Sequence, residues 1–285
     1  MSDHPSRPTT PVPPARSLLY VPAASSRMLA KLETLPADAL MLDLEDGVPP
    51  DAKATARENL RRVDWAGVRR WMLRINAAGD PHHEADLELA EQLRAPCVVL
   101  PKVEDDLVVA RTASRAARWG AKIGLMIETP AGLAKVDRLA SHEGVEWLVY
   151  GSADLRFRLG ARPDPDRGWE RPAMFRILLA ARVAGCLAID AVHFRFRDRA
   201  GLTRAAEIAR QMGFDGKSCI HPGQVATIHE VWAPTADEIA WAEQVVRSWR
   251  EQQGASRGIV VVDGEMIEAL HVRLAERWLA RQGGR

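Results

Sequence analysis

Gly124-Leu-Met-Ile-Glu128-Thr-Pro130-Ala-Gly132 and Glu146-Trp-Leu-Val-Tyr-Gly-Ser-Ala-Asp154-Leu155 are two apolar runs, each ending in a carboxylate. Each is short, aliphatic or aromatic, and closed by Gly or Pro, the pattern of a parallel strand buried on both faces. Helix-forming sequence follows each run. A carboxylate at the C-terminal tip of a buried strand is costly unless something pairs with it. Two such acids on neighbouring strands, Glu128 and Asp154, can hold one divalent cation between them. Each also has a purely structural reading, Glu128 as the cap of the next helix and Asp154 as a turn residue.

Outward from this stretch the same unit repeats. Strands are predicted over 17–23, 39–46, 70–76 and 97–103, then in the two runs above, then over 188–196 and 216–222. Between them the spacing predicts helices over 26–35, 51–63, 82–93, 104–118, 131–141, 171–184 and 201–212, with a long polar loop at 160–170. Ser25 and Ser26 are candidate caps for the first helix. Eight strand–helix units predict an α/β fold, a TIM (β/α)8 barrel, over 16–232. A doubly wound sheet has nearly the same alternation, but no Gly-x-Gly-x-x-Gly follows the first strand. Residues 1–15 hold five prolines and are predicted to be a disordered tail. Residues 233–285 are predicted to extend the barrel with helices over 235–253 and 264–281, without forming a second domain. The first of these carries Ile239, Trp241, Ala242, Val245, Val246 and Trp249 at helical spacing, an apolar surface expected in oligomer contact.

Composition narrows the function classes. The chain has 285 residues, 47% hydrophobic and 27% charged, with a formal net charge of +1, so it has no general electrostatic footprint for nucleic acid. No apolar run approaches the ~20 residues that span a bilayer. Cys97, Cys186 and Cys219 are far apart and form no zinc or CxxC spacing, which with the absence of a secretory h-region predicts a cytoplasmic setting.

In a barrel the functional groups come from the C-terminal ends of different strands. The polar residues there are Asp43, Glu45 and Asp46, then Arg74 and Asn76, then Lys102, Glu128, Asp154 and His221. An oxygen-rich set with few His or Cys suits Mg2+ or Mn2+ and suits zinc poorly. Arg74 offers a planar fork for a substrate carboxylate, or else a salt bridge to the second-strand acids. Glu45, Asp46 and Lys102 are expected to support the direct contacts from behind. His221-Pro222 is expected to cap the following helix.

The ordered series Arg16-Ser-Leu-Leu-Tyr-Val-Pro22, Leu42-Asp-Leu-Glu-Asp46 with Lys53 and Ala56-Arg57, Arg74-Ile-Asn76, Leu100-Pro-Lys-Val103, Ile127-Glu-Thr-Pro-Ala-Gly132, Gly151-Ser-Ala-Asp154, Gly213-Phe-Asp-Gly-Lys217 and Ile220-His-Pro222 resembles the citrate lyase beta-subunit family, relatives of malyl-CoA lyase. The likeness covers nearly all of 16–270. It implies a Mg2+-dependent carbon–carbon lyase of the phosphoenolpyruvate/pyruvate superfamily. Glu128 and Asp154 would bind the metal, Glu128 would also help hold substrate, and Arg74 would bind the 2-oxo acid. Its partners would be that oxo acid and an acyl-CoA or acyl-carrier thioester. Malyl-CoA-lyase-like members carry a catalytic Asp in a C-terminal Met-Ile-Asp motif supplied by a neighbouring subunit. This chain reads Met266-Ile-Glu268 instead, so Glu268 is the matching acid, and a homotrimer is the expected assembly. Thioester hydrolysis on the same scaffold is the second reading, and a non-catalytic docking subunit the third.

Overall fold

The computed structural model describes residues 15–252 and 258–282. Eight strands close in sequence order into a parallel barrel: β1 (Ser17–Pro22), β2 (Ala39–Asp43), β3 (Trp71–Arg74), β4 (Cys97–Leu100), β5 (Lys122–Ile127), β6 (Val145–Tyr150), β7 (Leu187–Asp190) and β8 (Gly216–Cys219). Closure is made by β8 on β1, with Leu18 opposite Ser218. The proline-rich segment expected as a tail lies outside the described residues, apart from Ala15. That residue is fully buried at the base of the barrel core.

Side chains alternate across a strand with period two. The inward row includes Leu18, Met41, Met72, Val99, Met126, Val149 and Ile189, which pack together as the barrel core. Two residues further along β1, β2, β3 and β5, the same inward row carries Tyr20, Asp43, Arg74 and Glu128. The polar mouth is therefore the next layer of the core, at the C-terminal ends of the strands.

The helices are α1 (Ser26–Leu29), α2 (Lys53–Arg61), α3 (His83–Gln92), α4 (Asp106–Ala116), α5 (Pro130–Ala134), α6 (Val136–Ala140), α7 (Ser152–Leu159), α8 (Arg171–Ala184), α9 (Arg199–Met212) and α10 (Val225–Trp232). Ser25 caps α1, as expected, but that helix ends at Leu29. The expected helix over 131–141 is two short helices meeting at Lys135. The expected seventh strand also stops early, at Asp190 rather than Phe196. His193-Phe-Arg-Phe196 alternates like a strand, yet Phe194 and Phe196 are exposed and find no ladder partner among the described residues. The chain turns there so that Asp198 can cap α9.

The described chain divides into two compact units, the first through His229 and the second from Glu230. The second unit holds both expected helices, and in place of the short strand or turn expected to join them over 258–264 it forms a hairpin, so that the last helix begins at Ala269. It contains α11 (Ala236–Glu251), an antiparallel hairpin of β9 (Ile259–Val262) and β10 (Glu265–Glu268), and α12 (Ala269–Gln282). Ala242, Val245, Val246, Val260, Val262, Ile267, Val272 and Ala275 form a core of its own. The signal was Asp263-Gly264, both at positive φ, after a β-branched run; such a pair favours a tight hairpin. Among the described residues no helix is long and apolar enough to cross a membrane.

Candidate active site

Glu128 follows β5 directly and is 2% exposed. It does not cap α5; Thr129 does, accepting from the Gly132 N–H. The Glu128 carboxyl instead accepts the Lys102 N–H at 2.7 Å. Lys102 reaches that position with φ +49°, a left-handed conformation that side-chain-bearing residues rarely adopt. Burial first, and the charge of Glu45 second, push Glu128 up to about 8, against the pull of Arg74. Asp154 adds to this repulsion, so the two carboxyls feel each other's charge. The structure corrects the position of Asp154: it stands in the first turn of α7, not on the tip of β6.

Gly151, between β6 and α7, makes the approach of these groups possible. A Cβ there would lie 2.4 Å from the Glu128 Cβ and 2.6 Å from its Oε2. The absent side chain is a cradle that Glu128 fills.

Arg74 faces Glu128 across the mouth but is already engaged. Its Nε and Nη2 donate to Asp43 Oδ1 and Oδ2 at 2.8 and 2.6 Å, a bidentate pair. Its guanidinium lies 5.0 Å over the Tyr20 ring. Asp43 also accepts the Glu45 and Gly47 N–H groups, so four donors converge on it. The salt-bridge reading of Arg74 is therefore part of its arrangement; burial pulls its pKa down, but Asp43, Tyr20 and Glu45 together raise it well above the usual arginine value.

Glu45 stands between the cations. Its Oε1 accepts the Lys102 ammonium. Its Oε2 is 2.8 Å from Arg74 Nη1, but that nitrogen turns its N–H toward Met126 Sδ, and Oε2 receives no hydrogen bond. Burial raises the Glu45 pKa, opposed by Arg74 and Lys102. Asp46 is mostly exposed and receives the Lys102 ammonium at 3.1 Å. His221 caps the following turn, accepting from the Gly223 N–H, as expected. Glu268 is exposed on β10 in the second unit.

Two supporting groups carried no role in the sequence reading. Lys53 is buried and donates to Leu44 O, Glu45 O and Asn76 Oδ1 at 2.6 to 2.7 Å, fixing the loop after β2. Asp86 receives the Asn76 N–H and side-chain amide and an Arg57 guanidinium. The available signal was lysine usage. In an arginine-rich chain with six lysines, Lys53, Lys102 and Lys217 each reach oxygen acceptors where a compact ammonium fits.

The donor set fits a hard divalent cation. Among the described residues no three His, Cys, Asp or Glu side chains form a metal cage. A pair of carboxyls, one buried in a cradle and one at a helix start, matches an ion that keeps waters and takes further oxygens from a ligand.

The sequence model of HpcH/HpaI aldolase/citrate lyase matches residues 16–222. The chain belongs to this family. It is 36% identical over 275 residues to a (3S)-malyl-CoA thioesterase of Cereibacter sphaeroides, covering 94% of each chain. It is 31% identical to the mitochondrial citramalyl-CoA lyase of Rattus norvegicus, covering 90% of this chain and 82% of that protein. The structure of CitE from Mycobacterium tuberculosis in complex with magnesium, acetoacetate and coenzyme A superposes with a TM-score of 0.83 at 32% identity, covering 95% and 99% of the two chains. The M. tuberculosis citrate lyase beta subunit complexed with oxaloacetate and magnesium gives 0.70 at 32% identity, over 78% and 98%. Within the family, the barrel and the polar mouth described above are this chain's own version of the fold.

Proposed function

We propose that this chain is a Mg2+-dependent carbon–carbon lyase acting on a 3-hydroxyacyl thioester such as citryl-CoA or malyl-CoA, giving an acetyl thioester and a 2-oxo acid, oxaloacetate or glyoxylate. The observation that carries the reading is the buried Glu128, seated in the Gly151 cradle beside the Asp154 turn, with the Arg74 guanidinium across the mouth. Relatives that bind magnesium, coenzyme A and small oxo acids support it. Glu128 and Asp154 would hold the ion, which when bound supplies Lewis-acid polarisation of the substrate's carboxylate and hydroxyl oxygens.

The chain's own groups do the rest. Arg74, pinned by Asp43, binds and orients the oxo-acid carboxylate and opposes negative charge that grows on its oxygens. Lys102 holds Glu128 through its N–H and Glu45 through its ammonium. Glu268, from a neighbouring copy in a homotrimer, would exchange a proton with the acetyl-thioester carbon, its carboxyl one methylene further out than the family's Asp.

Thioester hydrolysis is the second reading, favoured by the 36% identity to a malyl-CoA thioesterase. The deciding experiment is incubation of the protein and Mg2+ with malyl-CoA, citramalyl-CoA or citryl-CoA. Acetyl-CoA with an oxo acid marks the lyase; free CoA with the intact hydroxy acid marks the thioesterase.

A further inference from the structure

Glu45 holds an atom that the mechanism above leaves unused. The residue is 4% exposed, and among the described residues its buried Oε2 has the Arg74 Nη1 ion pair at 2.8 Å but no hydrogen-bond donor. Such acceptors are rare in folded proteins, because an unsatisfied buried carboxylate oxygen forgoes its hydration without replacement. The other three hydrogen-bonding groups around it are accounted for. Oε1 holds the Lys102 ammonium, and Arg74 gives Nε and Nη2 to Asp43, leaving Nη1 close to Oε2 but pointed away. The empty acceptor therefore lies against the Arg74 edge where an oxo-acid or hydroxy-acid head would be bound. A ligand O–H placed there meets an acceptor; a ligand C=O does not.

We propose that Glu45 is a catalytic base of this site, its Oε2 accepting the carbinol proton of the bound 2-hydroxy acid head. The step rests on the lyase reading. The carbinol O–H gives its proton to Oε2, and the O–H bonding pair becomes the new C=O bond. The C–C bond breaks, and its pair passes to the thioester α-carbon as the enolate. That carbon then takes a proton from the acid at the thioester end, and both acids re-equilibrate with solvent, so charge and protons balance. Lys102 and Arg74 hold the carboxyl in place through the cycle.

The test compares Glu45→Gln and Glu45→Asp with the parent protein, each checked by thermal melting. The first readout is binding: calorimetry with Mg2+ and either oxaloacetate or malate, a matched oxo and hydroxy pair. The parent protein should prefer the hydroxy acid. In Glu45→Gln, with the amide oxygen kept toward Lys102, an N–H donor replaces the acceptor, so that preference should fall by about tenfold while oxaloacetate binds within about threefold of the parent. The second readout is cleavage, which should fall about 100-fold or more in Glu45→Gln and recover in part in Glu45→Asp. An unchanged hydroxy-over-oxo preference, or equal weakening of both ligands, would overturn the assignment and leave Glu45 a prop for Arg74. A parent protein that binds both acids but never yields acetyl-CoA would remove the lyase reading, while the binding comparison still judges Glu45.

Discussion

The Glu128 carboxyl is pushed up to about 8, burial and the Glu45 charge outweighing Arg74 and the Lys102 N–H. Its folded pKa lies above the unfolded value of about 4.5, so the native state holds the proton more tightly. The associated stability is fully present below about pH 4.5 and is lost as pH rises through about 8. Glu128→Gln keeps an oxygen for the Lys102 N–H and carries no charge. In metal-free protein its melting temperature should exceed that of the parent by a margin that grows between about pH 5 and pH 9. Added Mg2+ should raise the parent's melting temperature and leave that of Glu128→Gln nearly unmoved. A flat difference across pH would mean Glu128 is already ionised in the metal-free fold. Gly151 gives an independent handle on the same carboxyl. Its φ of −103° is open to any residue, so Gly151→Ala acts through contact alone, driving a Cβ to 2.4 Å from the Glu128 Cβ. Such overpacking costs about 1–3 kcal/mol in a chemical melt, and calorimetry should show Mg2+ affinity reduced by about tenfold or more as Glu128 is displaced.

At the scale of elements, the strand tips were legible because burial and chemistry share one period. Met41 and Asp43, Met72 and Arg74, and Met126 and Glu128 sit two apart on the inward rows of β2, β3 and β5, so the apolar run pointed at the acid or base that ends it. Asp154 escaped this logic because α7 begins one residue after Gly151, and a short helix start reads locally like a strand end. Arg167 also escaped it. It lies in the polar loop expected at 160–170, yet it is buried and donates to Asp190 at the end of β7 at 2.7 and 2.8 Å, and to Glu170. Lys217 on β8 donates to the same Asp190 at 2.6 Å and to Ala191 O. Nothing in a polar loop's composition announces a partner twenty-three residues away. Burial alone would raise the Asp190 pKa, but Arg167 and Lys217 hold it down to about 2. Burial lowers the Lys217 pKa, in tension with this; two cations at hydrogen-bond distance on one carboxyl favour the ionised arrangement. The Asp190 contribution to stability is therefore present above about pH 4 and lost as pH falls toward about 2. Lys217→Met keeps the side-chain volume but takes one cation from the network, and should destabilise by about 3–5 kcal/mol in denaturant titration. A loss under about 1 kcal/mol would show that Arg167 alone suffices for Asp190.

At the scale of the whole molecule, the proposed chemistry draws on two units. Glu128, Asp154 and Arg74, proposed to hold the metal and the oxo acid, belong to the barrel, while Glu268 belongs to the second unit, whose hairpin and helices make a core without help from the barrel strands. That unit buries Ile267 and leaves Met266 and Glu268 exposed on the opposite face of β10. Ile259 and Val261 on β9 are exposed as well, so the hairpin presents an apolar face beside the acid. An apolar face next to a carboxylate is suited to a contact between copies in which Glu268 meets a neighbour's mouth. We therefore expect a homotrimer, with each thioester site completed by an adjacent copy. Glu268→Ala and Glu128→Gln should each be inactive alone, one lacking the proton donor and the other a metal ligand. Mixed under conditions that exchange subunits, they should regain partial activity, because some sites then combine an intact Glu128 with an intact Glu268 from the other copy. The regained activity should rise with exchange time and disappear when exchange is blocked by crosslinking each variant beforehand. A fully active monomer in light scattering, or no recovery despite exchange followed by labelled subunits, would place the proton-transfer group within a single chain.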